Sequence, residues 1–163
     1  PVPARFEAAN HPVREYSEEM TGGIRLAIAR DPSGNAIEMV EADGPGRVAG
    51  ARLIVDDRAA VEEFFVRVFG VEPGQRIQTE TFDEVFFDFD GGMFVALYQP
   101  TDAAQAAFPR SDQPVVAIYT RDFDGVLERV KAGGLRVREF GTGMFLADDP
   151  SGNVVEVVRQ RSN

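Results

Sequence analysis

Over residues 48–55 apolar and polar positions alternate with a period of two, and then the interval lengthens, so that Val61, Phe64, Phe65, Val68 and Phe69 recur along one helical face. The switch predicts a strand followed by a helix, with Asp57 as N-cap and Gly70 as the C-terminal stop. Three strands are predicted next, over 76–82, 84–90 and 93–99, the last two joined through Asp90-Gly91-Gly92 in a glycine-favoured hairpin turn. After a polar stretch over 100–113 the order recurs: a strand over 115–120, a helix over 123–132 stopped by Gly133-Gly134, then strands near 135–140, 143–147 and 153–159. The pattern is β-α-β-β-β, twice. It predicts an α+β fold of paired modules in a curved mixed sheet, each helix covering one face and leaving the other free to form a cavity.

A second regularity reaches outside this pair. Asp-Pro-Ser-Gly-Asn occurs at 31–35 and again at 149–153, and the glutamates that follow, Glu38 and Glu156, keep the same separation of 118 residues. A repeat of that length is a whole domain. Aspartate bonds to its own backbone two residues on, proline presets φ, glycine accepts positive φ and asparagine tolerates a left-handed conformation, so the pentapeptide predicts a tight turn. The strands Ala36-Ile37-Glu38-Met39-Val40 and Val154-Val155-Glu156-Val157-Val158 follow. A carboxylate amid apolar neighbours needs an ion partner, hydrogen bonds or a metal. An arginine at the strand end and a binding role both satisfy that need. Residues 1–42 read as an extended start, a polar stretch over 11–21, a strand over 24–29, the turn and the first glutamate strand; residues 43–47, with Asp43-Gly44-Pro45-Gly46, read as a linker.

Composition narrows the function classes. The 163 residues carry a formal charge of −10 with 44% hydrophobic residues, so the chain can build a core, and its scattered basic residues give no patch for nucleic acid. It has no cysteine, which excludes disulfides, thiolate zinc sites and cysteine nucleophiles. No run has the character of a signal peptide or a membrane span, so the expected location is cytoplasmic, without a membrane partner. The glycine pairs Gly44/Gly46 and Gly141/Gly143 lack the strand-to-helix context of phosphate loops, no serine has a histidine to activate it in residues 48–160, and nothing supports Pro1 as an amine base.

The spacing from Asp57 to Phe64-Phe65 and Val68-Phe69-Gly70, the duplicated β-α-β-β-β order, Ala132-Gly133-Gly134 closing the second helix and the terminal DPSGN-x-x-E together resemble the vicinal oxygen chelate superfamily, which groups glyoxalases, bleomycin-resistance proteins and extradiol dioxygenases. The resemblance covers 48–160 as a complete domain of two modules. It implies that residues 1–42 are the C-terminal part of a preceding, truncated domain of the same kind, lacking about seventy residues; a fragment of a tandem protein is expected, and a natural chain that starts at Pro1 with half a copy is the alternative. Metal-using members need two histidines and a glutamate. The implied first-strand positions fall on Gly50 and Val115, which cannot ligate; Glu156 is the residual ligand position, with Tyr98 or Gln99 near the fourth. No metal or other cofactor is therefore expected in 48–160, while Glu38 would be the matching ligand of the first copy and a divalent metal remains possible there. His11, the one histidine, reads as a surface or loop residue.

Strand phase turns Gly50, Arg52 and Ile54, Phe94, Ala96 and Tyr98, Val115, Ala117 and Tyr119, and Val154, Glu156 and Val158 toward the cavity. The polar candidates for a ligand site are Arg52, Asp88, Tyr98, Tyr119 and Glu156, in otherwise apolar and aromatic surroundings. Arg52 is expected to pair with Glu156 or Asp88, because a guanidinium keeps a carboxylate ionised in an apolar pocket. The expected function is metal-free binding of a hydrophobic or aromatic small molecule. The alternative is a metal-dependent lyase, isomerase or ring-cleaving dioxygenase whose site lies in the preceding domain. Either leaves a homodimer possible.

Overall fold

The computed structural model describes residues 2–161 apart from Gly22, Pro45, 104–107 and 109–113. Pro1, and most of the polar stretch expected over 100–113, lie outside the described residues. The chain divides into two compact units, Pro1–Arg47 and Val48–Asn163.

The first unit comprises α1 (Val2–Ala8), β1 (Val13–Tyr16), α2 (Glu18–Thr21), β2 (Leu26–Arg30) and β3 (Ala36–Val40), with the strands in an antiparallel sheet ordered β1-β2-β3. Two expectations are corrected here. The start is helical rather than extended, because Ala4, Arg5, Glu7 and Ala8 favour a helix and Pro3 lies in the first turn, where a missing N–H costs little. The stretch over 11–21 is not all loop: Val13-Arg14-Glu15-Tyr16 pairs with Ala29-Ile28-Ala27-Leu26. His11 sits in the turn before β1 with its ring edge-on to Phe6, centroids 6.2 Å apart.

The second unit holds β4 (Gly50–Ile54), α3 (Arg58–Phe69), β5 (Arg76–Gln78), β6 (Phe82–Phe89), β7 (Met93–Pro100), β8 (Val115–Thr120), α4 (Phe123–Ala132), β9 (Val137–Phe140), β10 (Met144–Asp148) and β11 (Val154–Arg159). Its two sheets have the same internal order, β4-β7-β6-β5 and β8-β11-β10-β9, and in each the strand before the helix pairs in parallel with the last strand of the module. Helix α3 begins where the Asp57 carboxylate accepts the Ala60 N–H at 3.0 Å and ends at Gly70, whose φ of 68° lets its N–H reach the Val66 carbonyl.

Leu53, Val55, Phe64, Phe65 and Phe87 from the first module form one core with Ile118, Phe123, Val126, Phe145 and Val157 from the second. Polar contacts reinforce the join. Arg129 donates from Nε to the Val68 carbonyl at 2.8 Å, and Ser151 Oγ accepts the Asp56 N–H at 3.0 Å. Because the odd-phase residues Leu53, Val95, Leu97, Val155 and Val157 are committed to this core, the alternate residues of each strand must occupy a helix-free face. That is what positions the candidate site.

The two DPSGN turns are bonded identically. Asp149 Oδ1 accepts the Ser151 and Asn153 N–H groups at 2.8 and 2.9 Å while Oδ2 takes the Asn153 side-chain amide at 2.8 Å; Asp31 does the same with Ser33 and Asn35. The Asn35 side-chain amide, chiefly, holds the Asp31 carboxyl below its ordinary range. The copies differ in burial, since Asp149 and Asn153 are buried and Asn35 is exposed. Asp149→Ala should therefore lower the stability of the second unit by about 2–4 kcal/mol in urea unfolding, from several lost charge-assisted bonds and buried groups left unsatisfied. Asp31→Ala should have a much smaller effect on its own unit, because water replaces the carboxylate there.

Candidate functional site

The helix-free face of the β4-β7-β6-β5 sheet is closed by its own side chains. Arg52 on β4 donates from Nε to Glu84 Oε1 on β6 at 2.5 Å, and Glu84 is only 3% exposed. The Arg52 guanidinium lies 4.2 Å from the centroid of Phe108 and 6.0 Å from that of Tyr98. Tyr98 stacks on Phe82 at 4.9 Å and meets Phe108 edge-on at 5.4 Å. The ion pair is thus roofed by aromatics.

The expected partner of Arg52 is corrected accordingly: it takes Glu84, not Glu156 or Asp88. Register explains the choice. Arg52 sits opposite Ala96, so its side chain crosses β7 over a methyl group toward either neighbouring rung, one holding Tyr98 and Glu84, the other Phe94 and Asp88. The second route is obstructed, because Phe94 packs over Gly50 and edge-on against Phe86 at 5.3 Å. Asp88 is left exposed beyond that pair. Glu84 is not flagged by a strand placed over 84–90, because it then stands at the strand's first residue, yet Phe82-x-Glu84-x-Phe86 sets a carboxylate between apolar residues of the same phase, as Val154-x-Glu156-x-Val158 does.

The helix-free face of β8-β11-β10-β9 is open. One rung runs Tyr119, Val158, Met144, Phe140 across the four strands, and the next runs Ala117, Glu156, Leu146, Arg138. Val115, Tyr119 and Phe140 are 56%, 65% and 51% exposed. Glu156 is half-buried and has no hydrogen bond or ion pair among the described residues. The nearby arginines go elsewhere: Arg138 and Arg136 reach Asp148 at 3.4 and 3.8 Å. Two hollows flank the apolar rung. One of about 370 Å³ is bounded by Thr142, Gly143, Val158, Arg159 and Arg161, the other of about 550 Å³ by Asp90, Tyr119, Thr120, Arg121, Asp122 and Gln160. Within the first, Arg159 clamps Asp124 at 2.6 and 2.9 Å, and that bond holds the Asp124 carboxyl below its ordinary range.

The five polar candidates therefore divide. Arg52 and Tyr98 belong to the closed face, Asp88 lies exposed at its far end, and Tyr119 and Glu156 stand on the open one. Glu38, half-buried opposite Ile28 in the first unit, repeats the place of Glu156 opposite Leu146.

The metal that the superfamily resemblance implies does not fit the donors of the second unit. Gly50 opposite Phe94 and Val115 opposite Val154 are equivalent, so Ala96 opposite Arg52 answers to Glu156 opposite Ala117, and the fourth position expected near Tyr98 or Gln99 is corrected to Ala96 by the register. The set is glycine, valine, alanine and one carboxylate, a poor site for iron or zinc. At Gly50 even a Cβ would overlap the Phe94 carbonyl oxygen and ring, so no imidazole can be seated there. Among the described residues no group of three His, Cys, Asp or Glu is placed to hold a metal, and no helix is long and apolar enough to cross a membrane.

Comparison with known proteins agrees with this geometry. Residues 46–157 match the family model described as Glyoxalase/Bleomycin resistance protein/Dioxygenase superfamily. A variant of glyoxalase I from Zea mays is similar over 96% of this chain and 62% of its own, with 19% identity and a TM-score of 0.73. A lactoylglutathione lyase from Agrobacterium tumefaciens is similar over 72% of this chain and 96% of its own, with 25% identity and a TM-score of 0.54. An antibiotic binding protein from a Streptomyces species is similar over 74% of this chain and 100% of its own, with 17% identity and a TM-score of 0.55. No curated protein sequence gives a significant match.

If Arg52 serves to neutralise Glu84, Arg52→Met should destabilise the second unit by about 3–5 kcal/mol, and adding Glu84→Gln should restore most of the loss. Glu156→Gln should leave stability unchanged within about 0.5 kcal/mol, as for other changes that break no buried partnership. A urea-unfolding cycle measures all of these, and recovery of Arg52→Met by Glu156→Gln instead would reinstate the pairing that the structure rejects.

Proposed function

The chain belongs to the Glyoxalase/Bleomycin resistance protein/Dioxygenase superfamily, and from that premise we propose that its second unit binds an apolar or aromatic small molecule, without a metal, on the helix-free face of β8-β11-β10-β9. The observation that carries this reading is the row of Tyr119, Val158, Met144 and Phe140, exposed at its two ends and half-buried between, with Val115 also exposed two rungs away on the same face and hollows of about 370 and 550 Å³ beside Val158 and Tyr119. A protein surface seldom leaves such apolar groups together without a use. The other face supports the choice by default, because Phe82, Phe94, Tyr98 and Phe108 already fill it. The similarity to an antibiotic binding protein points the same way. Donor chemistry argues for a metal-free mode: Glu156 alone cannot hold a cation of iron or zinc type against water.

Mechanistically, such a module acts by withdrawing its ligand from solution. Burying about 100 Å² of apolar ligand surface would contribute on the order of 2.5 kcal/mol before the cost of immobilisation. A second reading rests on the first unit, where Glu38 repeats the place of Glu156 and the similarity to the maize protein extends over 96% of the chain. A metal-dependent lyase, isomerase or dioxygenase would use Glu38 as its carboxylate ligand with donors from outside residues 48–163.

The neutral fluorescent probe N-phenyl-1-naphthylamine tests the primary reading. It should bind saturably, Val115→Asp and Tyr119→Asp should each weaken it at least about tenfold, and Asp88→Asn should not change it, since one charge on the apolar face costs about 1.4 kcal/mol or more. Elemental analysis of protein purified without chelators should show well under one equivalent of metal. Loss of probe binding on metal removal, or a stoichiometric metal lost in Glu38→Gln, would favour the second reading instead.

A further inference from the structure

We propose that the ligand taken by this open face is an organic cation, an aryl- or alkylammonium whose apolar body lies along the Tyr119–Phe140 rung and whose nitrogen meets Glu156. This deepens the binding reading above and rests on it. Three observations converge. Glu156 is half-buried between Ala117 and Leu146, neither of which can offset its charge, and it has no ion pair or hydrogen bond among the described residues. The basic residue on its own rung, Arg138, is turned to Asp148, as is Arg136, and Arg159 at the rim is held by Asp124. On the other sheet the more deeply buried Glu84, 3% exposed, is met by Arg52 under aromatic rings. On the open face the chain supplies no such cation or aromatic cover to Glu156 among the described residues, and both places are accessible from outside.

The spacing defines the ligand further. Tyr119 lies one strand and one rung from Glu156, spacings of about 4.8 and about 7 Å, so a ring stacked on Tyr119 can sit within a short linker of an ammonium at Glu156, while Phe140, two strands away, can meet only the far end of a longer body. The two hollows open beside Tyr119 and Val158, which are direct partners on that rung, and they leave room for a larger body. The overall charge of −10 favours the approach of cations over anions.

Three matched probes test the proposal: (1-naphthyl)methylamine, 1-naphthalenemethanol and 1-naphthoate, titrated calorimetrically at low salt. The amine should bind at least about tenfold tighter than the alcohol, equivalent to about 1.4 kcal/mol, and the carboxylate should bind most weakly. In Glu156→Gln the amine should fall to the affinity of the alcohol, whose own binding stays the same, whereas the control Glu128→Gln on α4 should preserve the preference. Added salt should shrink the gap between amine and alcohol. If amine and alcohol bind alike, or if the preference survives Glu156→Gln, the cation proposal is overturned while apolar binding on this face stands. If none of the three binds up to its solubility limit, both fall. If sedimentation shows a dimer that Val115→Asp dissociates, and probes compete with it in no measurable way, the occupant of the face is a second copy and the proposal is overturned by that route.

Discussion

Glu84, 3% exposed, has the Arg52 guanidinium against it at 2.5 Å. An isolated carboxylate in that position would cost several kcal/mol, so the pair dictates much around it. The guanidinium must cross β7, which requires the small Ala96 beneath it, and its outer face is shielded by Phe108 and Tyr98. With those aromatics in place the face is full. The rest of the second unit follows from where such a partner is present and where it is lacking.

The two modules share their strand order, their helix placement and one core, yet their free faces have diverged at a few equivalent positions. Gly50 carries the Phe94 ring over its backbone, while Val115 stands exposed; Ala96 lies under an arginine, while Glu156 faces outward without one. Each difference moves in the same direction. One face is consolidated as structure, and the other keeps apolar surface, a carboxylate and adjoining hollows. Within one unit, then, one helix-free face is closed by its own side chains and the other is open.

Much of this was legible in the sequence because it depends on local geometry. Asp57 and Gly70 bound α3 through hydrogen bonds within a turn, and both DPSGN segments close through the bonds that aspartate, glycine and asparagine are able to make anywhere. Period-two alternation put Arg52, Tyr119 and Glu156 on helix-free faces, since a strand with one buried face has no freedom of phase. Partner choice was not legible. Whether Arg52 met Glu84, Asp88 or Glu156 depended on strand order and on Phe94 obstructing one route, and both are tertiary facts. The short α1 was obscured by Pro3, which reads as a breaker except in a first turn, and β1 by the charged pair Arg14-Glu15 between Val13 and Tyr16.

The decisive contrast is between Glu84, which is paired within the chain, and Glu156, which in our proposal is completed from outside. Side-chain carboxyl resonances of glutamate-labelled protein, followed by NMR during titration with (1-naphthyl)methylamine, address it directly. The Glu156 signal should shift saturably with the probe while the Glu84 signal stays in place. A shift at Glu84 with none at Glu156 would show that the closed face is the one that opens to ligand, and would contradict the assignment of the two faces.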